Sequence, residues 1–162
     1  EIIQLLLEHK ADVNAPGSDY GDALQIAIQT NDIEIVKILL SAGADVNVKR
    51  TGGVDCTALM TAASSPWADT TMIKLLLDHG ADINAVGGLG GTALCAAAIG
   101  AENKIEVMRV LLAHGAYANM RGGPQARYVN PLHAAVTWKD LSGPPGYPEG
   151  VRLLVEHGAQ IN

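Results

Sequence analysis

One nine-residue pattern, Leu-Leu-x-His-Gly-Ala-x-x-Asn, returns along this chain at a near-constant interval. It reads Leu76-Leu77-Asp78-His79-Gly80-Ala81-Asp82-Ile83-Asn84 and again Leu111-Leu112-Ala113-His114-Gly115-Ala116-Tyr117-Ala118-Asn119. Related endings close at Asn14, Asn47 and Asn162, so successive asparagines stand 33, 37, 35 and 43 residues apart. A repeat of this period builds a stacked solenoid, in which each unit buries its apolar face only against its neighbours. That architecture presents an extended surface, which points to binding rather than catalysis.

A second motif opens each unit: Asp22-Ala23-Leu24-x-x-Ala27, Thr57-Ala58-Leu59-x-x-Ala62, Thr92-Ala93-Leu94-x-x-Ala97 and Asn130-Pro131-Leu132-His133-Ala134-Ala135. Asp22, Thr57, Thr92 and Asn130 are residue types that accept from the free N–H groups of a first helical turn. Pro131 follows its cap at the one position where a missing N–H is harmless. Leu and Ala three apart mark the buried stripe of a short first helix. A second helix follows, carried by Ile33 to Leu40, Ile73 to Leu77, Ile105 to Leu112 and Val151 to Val155. It is apolar on more than one face, as a helix between two neighbours must be. Gly43, Gly80, Gly115 and Gly158 end these helices, because glycine takes the left-handed stop without a Cβ penalty. Lys10 stands at the equivalent place in the first unit, where it is expected to strain or loosen the stop.

These residues resemble the ankyrin repeat. The family's Thr-Pro-Leu-His-x-Ala opening appears as Asn130-Pro131-Leu132-His133-Ala134-Ala135. Its Gly-Ala-Asp-Val-Asn ending appears as Gly43-Ala44-Asp45-Val46-Asn47 and Gly80-Ala81-Asp82-Ile83-Asn84. The form around Gly87 to Leu94 is similar to arrays of large fungal ankyrin proteins. The resemblance implies an all-α solenoid of helix-turn-helix units joined by β-hairpin loops. It also implies that partners bind the hairpin tips and the concave first-helix face. The units read as a partial one over 1–14 and complete ones over 15–47, 48–84, 85–119 and 120–162. Neither end carries the polar face of a terminal cap. The expectation is an excerpt of a longer array with apolar end faces.

Composition narrows the function classes. The net charge of −6 gives no global attraction to nucleic acid or an anionic membrane, and no apolar run approaches a membrane span. Two cysteines and no secretory leader suggest a reducing compartment, so an intracellular and cytoplasmic location is expected, with the nucleus left open. Neither cysteine has a Cys-x-x-Cys partner, and small buried thiols are the default reading. His9, His79, His114 and His157 share one repeat position. Stacked helices stand about 8–10 Å apart, while zinc needs nitrogens about 2 Å away. These histidines are therefore expected at helix C-termini, favoured by the dipole and bonded to the local loop. His133 is expected to tie the hairpin backbone, and Asn14, Asn47, Asn84 and Asn119 to hold each hairpin through backbone bonds. The cluster Gly87-Gly88-Leu89-Gly90-Gly91 lacks the lysine of a phosphate-binding loop and reads as a hairpin turn. No metal, cofactor or small-molecule ligand is expected, and no catalytic set is apparent.

What remains is a contact surface. Insertions between the helices fall at 64–69, 100–103 and 138–148, and the hairpins lengthen at 48–56 and 120–129. Insertions of this kind map to loops, often on the binding face. By the family resemblance, the hairpin tips and the ends of the first helices carry Tyr20, Lys49, Arg50, Arg121, Arg127, Tyr128, Trp138 and Lys139, with Trp67 and Tyr147 in the nearby insertions. Trp, Tyr and Arg are the types most enriched at binding hot spots. The competing reading is that Tyr128 and Trp138 pack the last loop onto its own repeat. The expected function is a non-catalytic scaffold for another protein. The alternative is a regulatory or targeting segment of a larger enzyme or nucleotide-dependent signalling protein.

Overall fold

A computed structural model describes residues 2–17, 21–49, 56–99, 104–124, 126–137 and 148–160. Two kinds of short helix alternate. The first kind comprises α2 (Ala23–Gln29), α4 (Ala58–Ser64), α6 (Ala93–Ala98) and α8 (Pro131–Thr137). The second comprises α1 (Ile2–Glu8), α3 (Ile33–Ser41), α5 (Thr70–Asp78), α7 (Ile105–Ala113) and α9 (Pro148–Glu156). Each first helix starts where its cap residue dictates. Asp22 Oδ1 accepts from Gln25 N–H at 2.8 Å, Thr57 Oγ1 from Met60 N–H at 3.4 Å, Thr92 Oγ1 from Cys95 N–H at 3.1 Å and Asn130 Oδ1 from His133 N–H at 2.7 Å.

First helices stack in one layer, α2 on α4 on α6 on α8, and each packs on the second helix of its own unit. The second helices form the other layer, with α7 packed against both α5 and α9. Alanine makes the first layer possible. All six residues of α6, Ala-Leu-Cys-Ala-Ala-Ala, are buried, because a helix flanked by helices on both sides has room only for small side chains. Leu59, Ile73, Leu76, Leu94, Met108, Leu111 and Leu154 fill the space between layers.

The glycine stops behave as their sequence positions demand. Gly43, Gly80, Gly115 and Gly158 have φ of 89°, 84°, 94° and 83°. Lys10 departs from them in residue type but not in conformation. Its φ is 63°, and it reproduces the stop: its N–H donates to Leu7 carbonyl at 2.9 Å and Ala11 N–H donates to Leu6 carbonyl at 3.0 Å. The same pair runs from Gly43 and Ala44 to Leu40 and Leu39. The stop is strained, as expected, and not loosened. A left-handed conformation at a residue with a Cβ costs roughly 1 kcal/mol. Lys10→Gly is therefore expected to stabilise the array by about that amount, read as a rise in the urea midpoint without a change in slope.

The asparagine ladder corrects one expectation. Each asparagine bonds the next unit rather than its own hairpin. Asn47 Nδ2 donates to Gly80 carbonyl at 3.0 Å, and Asn47 Oδ1 accepts from Asp82 N–H at 2.8 Å. Asn14 makes the same pair with Gly43 and Asp45, Asn84 with Gly115 and Tyr117, and Asn119 with Gly158 and Gln160. The preceding aspartates serve the turn itself: Asp12, Asp45 and Asp82 each accept from the N–H two residues on.

A second tie between units is buried. Gln25 is 1% exposed, its Nε2 donates to Cys56 carbonyl at 3.0 Å, and its Oε1 accepts from Thr61 Oγ1 at 2.9 Å. Among the described residues the hairpins form no strand; one bridge joins Gly87 and Gly91, where Gly87 N–H donates to Gly91 carbonyl at 2.8 Å.

Candidate partner-binding surface

Hairpin 120–129 and the ends of α4 and α6 enclose a cleft of about 270 Å³. Its walls come from three successive units: Ser64 from α4, Leu89, Gly90, Ala96 and Ile99 around α6, and Arg127 with Tyr128 ahead of α8. Backbone chemistry holds these parts in place. Arg127 N–H donates to Leu89 carbonyl at 2.9 Å, so one hairpin is bonded to the next. Gly122 N–H donates to Val129 carbonyl at 3.0 Å and closes the loop. Gly122 is required there, because a Cβ would stand 2.4 Å from Ala126 Cβ and 2.9 Å from Tyr128 carbonyl oxygen.

Tyr128 does two things. Its ring meets the edge of His133 with centroids 5.9 Å apart, and it is half-buried against the core while still lining the cleft. His133 Nδ1 accepts from Val129 N–H at 3.1 Å, so this histidine ties the hairpin. The other histidines do something different. Nδ1 of His9, His79, His114 and His157 stands 2.7–2.9 Å from the carbonyl four residues back in its own helix. A carbonyl only accepts, so that nitrogen carries the proton. The expected bond to the local loop is thus a bond to the helix end. Among the described residues no three His, Cys, Asp or Glu side chains are grouped to hold a metal.

Of the ten surface candidates, Arg127 and Tyr128 meet in the cleft. Lys49, Arg121 and Trp67 are exposed, Trp67 at 69%, but do not line it. Tyr20, Arg50, Trp138, Lys139 and Tyr147 lie outside the described residues. Charge is distributed unevenly. Lys37 pairs with Glu34 on α3, and Arg109 of α7 with Glu106 and Glu149. Among the described residues Arg127 has no ion pair and no carboxylate lines its cleft.

Lys104 was not foreseen from the sequence. It is 6% exposed, and its Nζ donates to Ser64 carbonyl at 3.0 Å and Ile99 carbonyl at 3.4 Å. These carbonyls lie at the C-terminal ends of α4 and α6, where a cation meets the negative end of each helix. The ammonium therefore braces two units directly behind the cleft wall. One signal was available. Asp32 and Asp69 cap α3 and α5, whereas Lys104 holds that place before α7 and makes no side-chain cap bond. Burial pushes its pKa below the ordinary 10.5. Between the folded and unfolded values the unfolded chain holds the extra proton, so stability contributed by this site rises with pH and levels off near 10.5. The stability difference between wild type and Lys104→Met is expected to shift toward wild type from pH 8 to pH 10.5. A shift toward the variant in paired urea titrations would show that the carbonyls outweigh burial.

Both cysteines are free thiols, Cys95 buried and Cys56 half-buried. Burial raises the Cys95 thiol above its ordinary range, which keeps it a small apolar side chain at neutral pH.

A family model described as ankyrin repeats matches in three copies over residues 1–50 and 59–162. The chain belongs to the ankyrin-repeat family. Ankyrin repeats generally mediate protein–protein interaction, and the repeat itself is a non-catalytic interaction fold. The array is similar to part of the ankyrin repeat and SAM domain-containing protein 6 of Rattus norvegicus, 36% identical over 84 residues. It is also similar to part of the E3 ubiquitin-protein ligase KEG of Arabidopsis thaliana, 33% identical over 85 residues. A putative ankyrin repeat protein of Acanthamoeba polyphaga mimivirus is 36% identical over 84 residues. Each match covers 51–52% of this ankyrin array and 5–10% of the relative's own length.

Proposed function

We propose that this ankyrin array is a non-catalytic intracellular scaffold that binds another protein through its hairpin tips and first-helix ends, centred on the Arg127 cleft. The observation that carries the reading is the convergence of three units on one apolar floor, beside a guanidinium that has no ion pair among the described residues. Leu89, Ala96, Ile99 and Tyr128 suit an aliphatic or aromatic side chain. Arg127 suits a carboxylate next to it, held by a planar, two-pronged donor. The preferred partner segment is thus an apolar residue flanked by Asp or Glu. Lys49, Arg121 and Trp67, exposed away from the cleft, and Tyr20, Arg50, Trp138, Lys139 and Tyr147, outside the described residues, stay candidates for a wider contact by residue type alone.

The test is selection of peptides from a random twelve-residue display library against the folded array. Enriched peptides should combine an apolar anchor with an acidic neighbour. Arg127→Glu should weaken them at least tenfold, about 1.4 kcal/mol, with the circular dichroism spectrum unchanged. Peptides bound equally well by the Arg127→Glu array would place the site elsewhere. The likeness to a plant protein named as a ubiquitin ligase supports a second reading. In it the array is the targeting segment of a larger enzyme. Its own part is still to bind, so the same selection applies.

A further inference from the structure

The Arg127 cleft follows α6 from one end to the other. Leu89 and Gly90 line it ahead of the helix, Ala96 along the helix, and Ile99 where the helix stops. Ser64, the last residue of α4, lines it too. Ser64 and Ile99 stand together, because the Lys104 ammonium donates to both of their carbonyls, at 3.0 and 3.4 Å. Arg127 belongs to the opposite end, where its N–H is bonded to Leu89 carbonyl.

The two ends of the cleft therefore differ in charge. A guanidinium serves the hairpin end. At the other end two helices finish, and the last carbonyls of a helix carry partial negative charge. Left bare, those carbonyls would repel the carboxylate that Arg127 suits. Lys104 meets them with a full positive charge. It is 6% exposed, so salt and water screen that charge less than they would at the surface. Its own helix does not call for a cation. Asp32 and Asp69 cap α3 and α5 at the register where Lys104 precedes α7, and a helix N-terminus disfavours positive charge. Among the described residues Lys104 has no ion pair either. Its printed bonds go to two residues of the cleft wall.

We propose, on the reading of the Arg127 cleft as the binding site, that Lys104 is its specificity-determining residue and selects a carboxylate over a neutral polar group from behind the wall. Arg127 holds the carboxylate, and Lys104 offsets the negative helix ends that would repel it. The field of the guanidinium then reaches the occupant unopposed. An uncharged side chain in place of Lys104 leaves the apolar floor of Leu89, Ala96, Ile99 and Tyr128 in being. It takes from an acidic occupant its advantage over a neutral one. Loss of bracing alone acts differently, because a loosened wall weakens acid and amide alike.

The experiment compares phenylpropionate with phenylpropionamide, which share a shape and differ in charge, on the folded array at one ionic strength. Dissociation constants are read from the amide resonances of Leu89 and Ile99. The wild type should bind the carboxylate more tightly. Lys104→Gln keeps a donor without the charge, and Lys104→Met removes both. In each, the ratio of the two constants should fall by about threefold or more. Lys104→Arg, which keeps the charge, should preserve it. An equal loss for both compounds, with the ratio kept, would show bracing alone and overturn the assignment. A fall in Lys104→Arg as large as in Lys104→Gln would do the same. If Arg127→Gln still lowers the ratio in that series, the cleft stands as the binding site without Lys104 as its selector. No response of Leu89 and Ile99 to either compound would overturn the cleft and the assignment together. The wild type gives a reading that needs no variant. Ligand and proton binding are reciprocal, so phenylpropionate should raise the pH at which the Lys104 Cε resonance titrates. The same rise with the amide would overturn the assignment.

Discussion

Leu76→Ala is expected to destabilise the array by about 2–5 kcal/mol, the range for emptying a leucine site that cannot collapse. Leu76 has no exposed surface and belongs to the continuous core between the helix layers. Its backbone is fixed as well, since its carbonyl accepts from Ala81 N–H at 3.0 Å in the glycine stop that follows. The helix therefore cannot slide to fill the void. The unit is also central: α5 contacts α4 of its own unit and α7 of the next. In a repeat array such a site stabilises a unit and its interfaces together. Urea unfolding should show a lower midpoint. A lower slope as well would mean that the array no longer unfolds as one body. Leu6→Ala, in the same register but half exposed, supplies the contrast and should cost about 1 kcal/mol or less. Equal losses at the two positions would contradict the burial difference on which the core assignment rests.

Gln25→Met is the second large effect, at about 1–3 kcal/mol. Methionine keeps the length and much of the volume of glutamine, so the change isolates hydrogen bonding from packing. Gln25 spans two units, donating to the Cys56 carbonyl and accepting from the Thr61 hydroxyl. Its loss removes the amide donor to that carbonyl and the acceptor of the Thr61 hydroxyl in a part-buried site, and polar partners lost there cost more than a bond lost in water. The expected signature is local. Hydrogen exchange should quicken in α2 and α4, while α7 and α9 keep their protection, because stability in a solenoid passes between neighbours. Uniform acceleration across the chain, or no measurable loss in urea, would show that the pair is not an inter-unit tie.

The parts readable from residues were those decided within one or two helical turns. The caps at Asp22, Thr57, Thr92 and Asn130 act three residues ahead, so residue type and spacing were sufficient. The glycine stops are likewise local, since only the missing Cβ matters. Lys10 shows where that logic weakens: a lysine takes φ 63° in the glycine's place and makes the same two backbone bonds. The asparagines show a different failure. Their position was clear, but an amide that both donates and accepts can serve its own hairpin or the next, and nothing in the spacing decides between them. The surface was readable in part. Arg127 and Tyr128 were chosen by residue type and position and do line a cleft, whereas Lys49, Arg121 and Trp67 do not join it. Leu89, which also lines it, looked like an ordinary hairpin residue.

By itself the sequence determined the repeat, the kind of each helix, its start and its stop, because periodicity and capping are short-range and recur in each unit. Only the tertiary structure decided which groups meet within and across units: Asn47 with Gly80 and Asp82, Gln25 with Cys56 and Thr61, and Lys104 with the ends of α4 and α6. These partners stand from five to forty residues apart in the chain. Their meeting depends on how far each unit is rotated and shifted on the last. That displacement is set by the summed packing of small side chains between helices, a property of the stack that no single unit encodes.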